Sequence, residues 1–277
     1  MIDTGELREL AVATAREAGR MLIDKRPAHG PDVVQTKSSP TDIVTQMDHA
    51  AERLILERIR AVRPEDGFLG EEGGEHAGTT GVRWVIDPID GTVNYLYDLP
   101  DWAVSIAAEI DGRTVAAAVD IPRRGETYTA VRGGGTLVHI SLPAGVAAAS
   151  TTEKPHVNTG VSLSQALVAT GFGYAAERRA HQAEVLAGVL PKVRDIRRSG
   201  SCCVDLCSLA AGRVDAYYER GVQAWDIAAG TLIIEEAGGR VGGLDGAPAG
   251  PELTMAAAPG LFEALHDLLA PLEPARD

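Results

Sequence analysis

The chain has 277 residues, 45 % of them hydrophobic and only 4 % aromatic, enough for one large domain or two tightly packed lobes in which alanine and glycine do much of the packing. Its 26 basic and 39 acidic side chains leave a net charge of −13, which argues against a general electrostatic attraction to nucleic acid but not against phosphate, because bound cations reverse the local sign. No stretch approaches the roughly 18 apolar residues of a membrane helix, and the first residues show neither the basic nor the apolar part of a secretory leader. The expected compartment is therefore the cytoplasm. Cys202, Cys203 and Cys207 are odd in number and crowded, so they predict neither a disulfide framework nor a zinc site.

The first predicted element is a helix, with Leu7, Leu10, Ala11, Ala15, Ala18 and Leu22 at helical spacing and Asp3 and Glu6 placed as a capping box. A second runs from about Asp48 through Arg60, with Leu54, Ile55, Ile59 and Val62 on its apolar side and Pro64 ending it. Strands follow at 82–87, 103–110, 113–121 and 126–132, the middle pair joined at Asp111-Gly112, a hairpin turn by its chemistry. Residues 143–160, rich in Ala, Thr and Pro, read as a loop joining an N-terminal lobe (1–143) to a C-terminal lobe (160–277), packed as one unit. The second lobe predicts a strand at 166–170, a helix at 177–190, a short strand near Asp195-Ile196 and a helix at 201–212. A strand at 214–218 and a helix from Asp226 to Ala237, closed by Gly238-Gly239, complete the pattern. Alternating helices and strands in both halves indicate a layered α/β sandwich.

Chemistry concentrates in Trp84-Val85-Ile86-Asp87-Pro88-Ile89-Asp90-Gly91-Thr92. An apolar β-branched run reads as a buried strand, stopped by Pro88, which places two carboxylates at the mouth of a sheet. Such carboxylates repel one another unless a cation lies between them, so a hard divalent metal is the economical reading. Three more segments accompany this one: Lys37-Ser38-Ser39-Pro40-Thr41-Asp42 leading to Asp48, Gly70-Glu71-Glu72-Gly73-Gly74, and Gln223-Ala224-Trp225-Asp226. In this order, from about Lys37 to about Gly239, they resemble the inositol monophosphatase family of magnesium-dependent, lithium-sensitive phosphatases.

The resemblance implies a five-layer α-β-α-β-α sandwich of the inositol monophosphatase and fructose-1,6-bisphosphatase type, and a homodimer. It implies two or three Mg2+ ions. Glu71, Asp87 and the Ile89 carbonyl would hold one, and Asp87, Asp90 and Asp226 a second. A third, weaker ion would lean on Glu71 and water, with Lys37 and Asp42 in a lid that could contribute to it. Thr92, oriented by Asp48, would take the proton of the attacking water, since a hydroxyl is a poor base alone. Backbone N–H groups of Gly91 and Thr92 would receive the phosphate. Gly200, Ser201 and Cys202 would line the alcohol pocket, Cys202 standing where Ala is expected, and Glu219 would bind substrate hydroxyls. Thiol modification of Cys202 is a further possibility, against the plainer reading of all three cysteines as small buried helix residues.

Read without the resemblance, Asp48 and Asp226 are equally helix caps, the Lys37 loop an exposed turn, and Glu219 a surface acid paired with Arg220. Glu72 is expected to point away from Glu71; the resemblance implies a water-mediated role near the metals, and its residue type alone a solvated acid, while Asp205 is expected to face out of its helix and Arg213 to be structural. Gly171-Phe172-Gly173-Tyr174 would frame the pocket without the full dinucleotide glycine pattern. The resemblance breaks beyond Gly133-Gly134-Gly135: where the family commonly has an Asn-Gly turn, Leu137-Val138-His139-Ile140 runs on, which puts the local hairpin and the dimer surface in doubt.

The activity implied is hydrolysis of a small phosphomonoester, inositol monophosphate first. Histidinol phosphate, fructose 1,6-bisphosphate and 3′-phosphoadenosine 5′-phosphate share the ligand set. A bisphosphate would call on Arg178, Arg179, Lys192, Arg194, Arg197 or Arg198. The rival from another class is a non-catalytic regulator on the same fold.

Overall fold

A computed structural model of the chain describes residues 2–37, 39–40, 42–141 and 150–276. In chain order the elements are α1 (Thr4–Asp24), β1 (Val33–Thr36), β2 (Ile43–Thr45), α2 (Gln46–Val62), β3 (Gly67–Gly70), β4 (Gly74–His76), β5 (Val82–Asp90), α3 (Thr92–Leu96), β6 (Ala103–Ile110), β7 (Arg113–Ile121), β8 (Glu126–Val131), β9 (Gly135–Ile140) and β10 (Thr151–Glu153). The second half holds β11 (Leu167–Thr170), α4 (Ala176–Val189), β12 (Asp195–Arg197), α5 (Cys202–Ala210), β13 (Ala216–Glu219), α6 (Ala224–Glu236), β14 (Arg240–Gly242), β15 (Thr254–Ala257) and α7 (Leu261–Leu269).

Two sheets carry the layers. One has eight strands in the order β10-β9-β8-β7-β6-β5-β3-β4; the other has five, β12-β11-β13-β15-β14. Side-chain alternation assigns their faces. Trp84, Ile86, Val104 and Ile106 pack under α1 and α2 with Leu7, Ala11, Ile55 and Ile59. The intervening Val85, Ala103 and Ala107 face α5 and α6, which meet Ala169, Tyr217 and Ala256 of the second sheet on their other side. Val168, Ala216, Met255 and Ala257 point the opposite way, onto Val185 and Val189 of α4 and Leu265 and Leu269 of α7. The layers are therefore helix, sheet, helix, sheet, helix, as the sequence led us to expect.

The strands and helices read from periodicity are present to within a few residues. Asp3 caps α1 through its side chain, accepting from the Gly5 and Glu6 N–H groups, and Asp111 and Gly112 both take positive φ in the hairpin turn. The hairpin in doubt does form: β8 pairs antiparallel with β9, Val131 opposite Gly135, and the φ of +76° at Gly133 and +82° at Gly135 makes the turn without an Asn. The 143–160 segment is not all loop. Thr151–Glu153 pairs with Val138–Ile140 as β10, while residues 143–149 lie outside those described.

Parallel pairing positions the site. β3 runs parallel to β5 with Gly70 opposite Ile86, so Glu71 leaves the sheet beside Asp87. In the second sheet β12, β11 and β13 are mutually parallel, so residues 198–201, Gly171 and Glu219 emerge at one edge. Ligand clefts in α/β sheets open at such carboxyl ends.

Candidate active site

The carboxyl ends of the two sheets enclose a cleft of about 500 Å³, lined among others by Glu71, Asp87, Asp90, Thr92, Glu219 and Asp226. Asp87 and Asp90 close β5 at an irregularity in its pairing with β6. Asp87 Oδ1 accepts from the Ile89 N–H at 3.0 Å. Asp90 Oδ2 accepts from the Ser201 hydroxyl at 2.5 Å and the Cys203 N–H at 2.6 Å, seated on the first turn of α5. Asp226, in the first turn of α6, accepts from the Gln223 N–H at 2.6 Å. Carboxylate oxygens of Asp87, Asp90 and Asp226 lie within 4.8 Å of one another. Glu71 stands beside them, close enough to push the Asp87 carboxyl up.

Electrostatics make this a strained set. Burial pushes the Asp87 carboxyl well above the usual range, and Glu71, Asp90 and Asp226 push it further. Burial and Asp90 do the same to Asp226. Burial raises Glu71 to about 7 against the pull of Lys37, and it raises Asp90 against the bonds from Ser201 and Cys203. These four carboxyls, Asp87 and Asp90 buried and Glu71 and Asp226 half-buried, cannot all ionise without a counter-charge. An all-oxygen set with this mutual repulsion fits a hard divalent cation, which zinc's usual His and Cys donors do not resemble.

Lys37 supplies part of that counter-charge. Its Nζ bonds Glu71 Oε1 and Glu72 Oε1, each at 2.7 Å. Burial alone would lower its pKa, but the two glutamates prevail and raise it. Glu72 is thus not a solvated acid: its side chain is 7 % exposed, and the preceding turn is held by the Glu72 N–H donating to buried Glu52. The neighbouring glycines leave room for that carboxylate, since a Cβ on Gly73 would sit 2.4 Å from Glu52 Oε1.

Asp48 is both cap and partner. Its Oδ2 accepts from the Thr45 N–H and hydroxyl, forming the capping box of α2, while its Oδ1 lies 3.0 Å from the Thr92 hydroxyl. Thr92 Oγ1 is also 3.0 Å from the Ile89 carbonyl. Gly91 has a φ of +94°, and a Cβ there would come 3.0 Å from the Asp101 carbonyl and 3.2 Å from Ser201. A side chain at that position would separate α3 from the opposing loop.

On the far wall, Glu219 Oε2 accepts from the Tyr217 hydroxyl at 2.8 Å, and burial raises its carboxyl to about 7 despite that bond. Gly171 is required by this carboxylate, because a Cβ would fall 2.0 Å from its Oε1. Cys202 lines the cleft, yet burial holds its thiol well above the ordinary value, so a reactive thiolate is not formed near neutral pH. Phe172, Gly173 and Tyr174 also line the cleft, and among the bases considered for a second phosphate Arg178 and Arg198 do so. Asp205 is buried rather than outward. Arg213 pairs with Glu126 across the core, a structural role as expected.

Sequence reasoning overlooked Asn94, the Ser201 hydroxyl and Tyr217. Tyr217 was legible: it precedes Glu219 by two on a strand and therefore shares its face. Asn94 and the Ser201 hydroxyl act across the gap between the sheets, and no local spacing announces that.

Five alternating layers with a carboxylate centre between two sheets define a class of mixed α/β phosphatase folds. The model described as the inositol monophosphatase family matches residues 3–273, and the chain belongs to that family. It is 46 % identical to the inositol-1-monophosphatase SuhB of Mycobacterium tuberculosis, over 98 % of this chain and 94 % of that protein. It is 40 % identical to the Nus factor SuhB of Escherichia coli, over 86 % and 85 %. The solved structure of Mycobacterium tuberculosis SuhB superposes with a TM-score of 0.80, covering 99 % of each chain.

Proposed function

We propose that the protein hydrolyses a small phosphomonoester, inositol monophosphate first, with Mg2+ as cofactor. The observation that carries this reading is the convergence of Asp87, Asp90 and Asp226, with Glu71 next to Asp87, beside the Asp48–Thr92 pair. Glu71, Asp87, Asp90, Asp226 and the Ile89 carbonyl are the groups that would hold the ions. Bound magnesium supplies charge to the phosphoryl oxygens and acidifies a water.

The chain's own residues do the rest. Asp48, fixed by two bonds from Thr45, holds the Thr92 hydroxyl proton on its Oδ1, which leaves a Thr92 lone pair to accept a proton from the nucleophilic water. Burial raises the Asp48 carboxyl despite those bonds, which suits it to share a proton. Gly91 and Thr92 offer backbone N–H groups to the phosphate, and Gly200, Ser201 and Cys202 form the wall facing the alcohol. Glu219, oriented by Tyr217, accepts from a substrate hydroxyl. The name of the Mycobacterium tuberculosis relative supports inositol 1-phosphate as the first substrate.

A regulatory role is the second reading, favoured by the Nus factor name of the Escherichia coli relative. It does not displace catalysis here, since every candidate ligand and the Asp48–Thr92 pair are present. The test is phosphate release from inositol 1-phosphate, histidinol phosphate, fructose 1,6-bisphosphate and 3′-phosphoadenosine 5′-phosphate, with and without magnesium. One preferred, magnesium-dependent substrate is expected; no release from any of them, with magnesium bound, would favour the regulatory reading.

A further inference from the structure

We propose that Asn94 is a positioning residue that sets the orientation of Asp90 from across the gap between the two sheets. This rests on the reading of the acidic cluster as a magnesium site. Asn94 lies on α3 and is 4 % exposed. Its Nδ2 donates to the Asp101 carbonyl at 2.5 Å and to the Ser199 carbonyl at 2.9 Å, so one amide ties the first sheet's terminal loop to the 198–201 segment of the second.

That segment is where Asp90 is anchored. The Ser199 hydroxyl donates to the Ser201 carbonyl and accepts from the Ser201 N–H. The Ser201 hydroxyl then donates to Asp90 Oδ2, which also receives the Cys203 N–H. Both donors fall on Oδ2 and fix how the carboxylate is turned toward the cluster. Gly200, at a φ of +94°, leaves no space for a side chain: a Cβ would stand 2.9 Å from Asn94 Nδ2. The path from Asn94 through Ser199 and Ser201 to Asp90 is thus closely packed and fully bonded. Partners that orient a ligating carboxylate change metal affinity by about 10–100-fold when removed.

Isothermal titration with Mg2+ on the full chain tests this, using wild type, Asn94→Ala, Ser201→Ala and the double variant. Asn94→Ala is expected to weaken magnesium binding by about 10–100-fold, and the double variant to bind no more weakly than the worse single one. For Asn94→Ala the magnesium needed for half-maximal activity should rise in parallel, while the substrate KM at saturating magnesium stays unchanged. Thr136→Val, which removes a buried bond to the Ile233 carbonyl outside this path, controls for general loosening and should bind as wild type. Asn94→Leu keeps the shape, adds no charge and removes the donor, and is read in the same way should Asn94→Ala fail to fold. Wild-type affinity in a folded Asn94 variant, or losses that multiply independently in the double variant, would overturn the proposal. A wild type that binds no magnesium would overturn the underlying reading and this one with it.

Discussion

Glu71 and Glu219 give the metal-free protein a pH dependence of definite sign. Both carboxyls rise from 4.5 to about 7 on folding, chiefly by burial. Between those values the folded state keeps protons that the unfolded state has released, so their contribution to stability falls as pH rises through this window and levels off above it. On the proposed reading magnesium would reverse the trend, because it would replace the protons and bind the ionised set. Calorimetry from about pH 5 to about pH 8 should therefore show Tm falling in EDTA and a magnesium-induced gain in Tm that grows with pH. A gain independent of pH would count against a carboxylate centre. At Thr92 the expectation is kinetic: Thr92→Val should lower kcat by about 10²–10⁴-fold with little change in KM, as for loss of a proton acceptor. Steady-state rates at saturating magnesium decide it.

At the scale of elements, α7 holds the outer layer and contributes no residue to the cleft. Leu265 is fully buried among Val185, Leu261 and Leu269. Leu265→Ala should cost about 2–5 kcal/mol in urea unfolding while leaving kcat as it is. Gly91, by contrast, joins stability to function. Gly91→Ala must hold a positive φ and push against Asp101 and Ser201, costing about 1–3 kcal/mol, and should also raise the magnesium needed for activity. The long helices and the central strands were legible because each buries one regular face: Ala11, Ala15 and Ala18 on α1, or Trp84 and Ile86 against Val85 on β5. The short strands β1, β3, β4 and β14 were not, since three or four residues carry no readable period and depend on their neighbours for pairing. Helix α7 escaped notice beside the stronger internal signals, although Leu261, Leu265 and Leu268 keep helical spacing.

For the molecule as a whole, the site exists only because two sheets bring their carboxyl ends together. Asp87 and Asp90 come from one, Asp226 from a helix packed against both, and Glu219 from the other. The ordered acidic motifs made the carboxylate cluster readable, because a turn after a strand and the first turn of a helix fix where each carboxylate points. Their supports were not readable: Lys37 with Glu72, Tyr217 with Glu219, and Asn94 with Ser199 are contacts that the layering alone creates. Asp205 shows the same limit, a carboxylate placed outward by helical reasoning and buried by a neighbouring layer.

The most direct test is phosphate release from inositol 1-phosphate by wild type and Asp226→Asn, each with and without magnesium. Asp226 alone brings the α6 carboxylate to the pair on β5. The account predicts release by the wild type only with magnesium, and loss of that activity in a folded Asp226→Asn variant. Release that ignores magnesium, or an Asp226→Asn variant working at the wild-type rate, would contradict it.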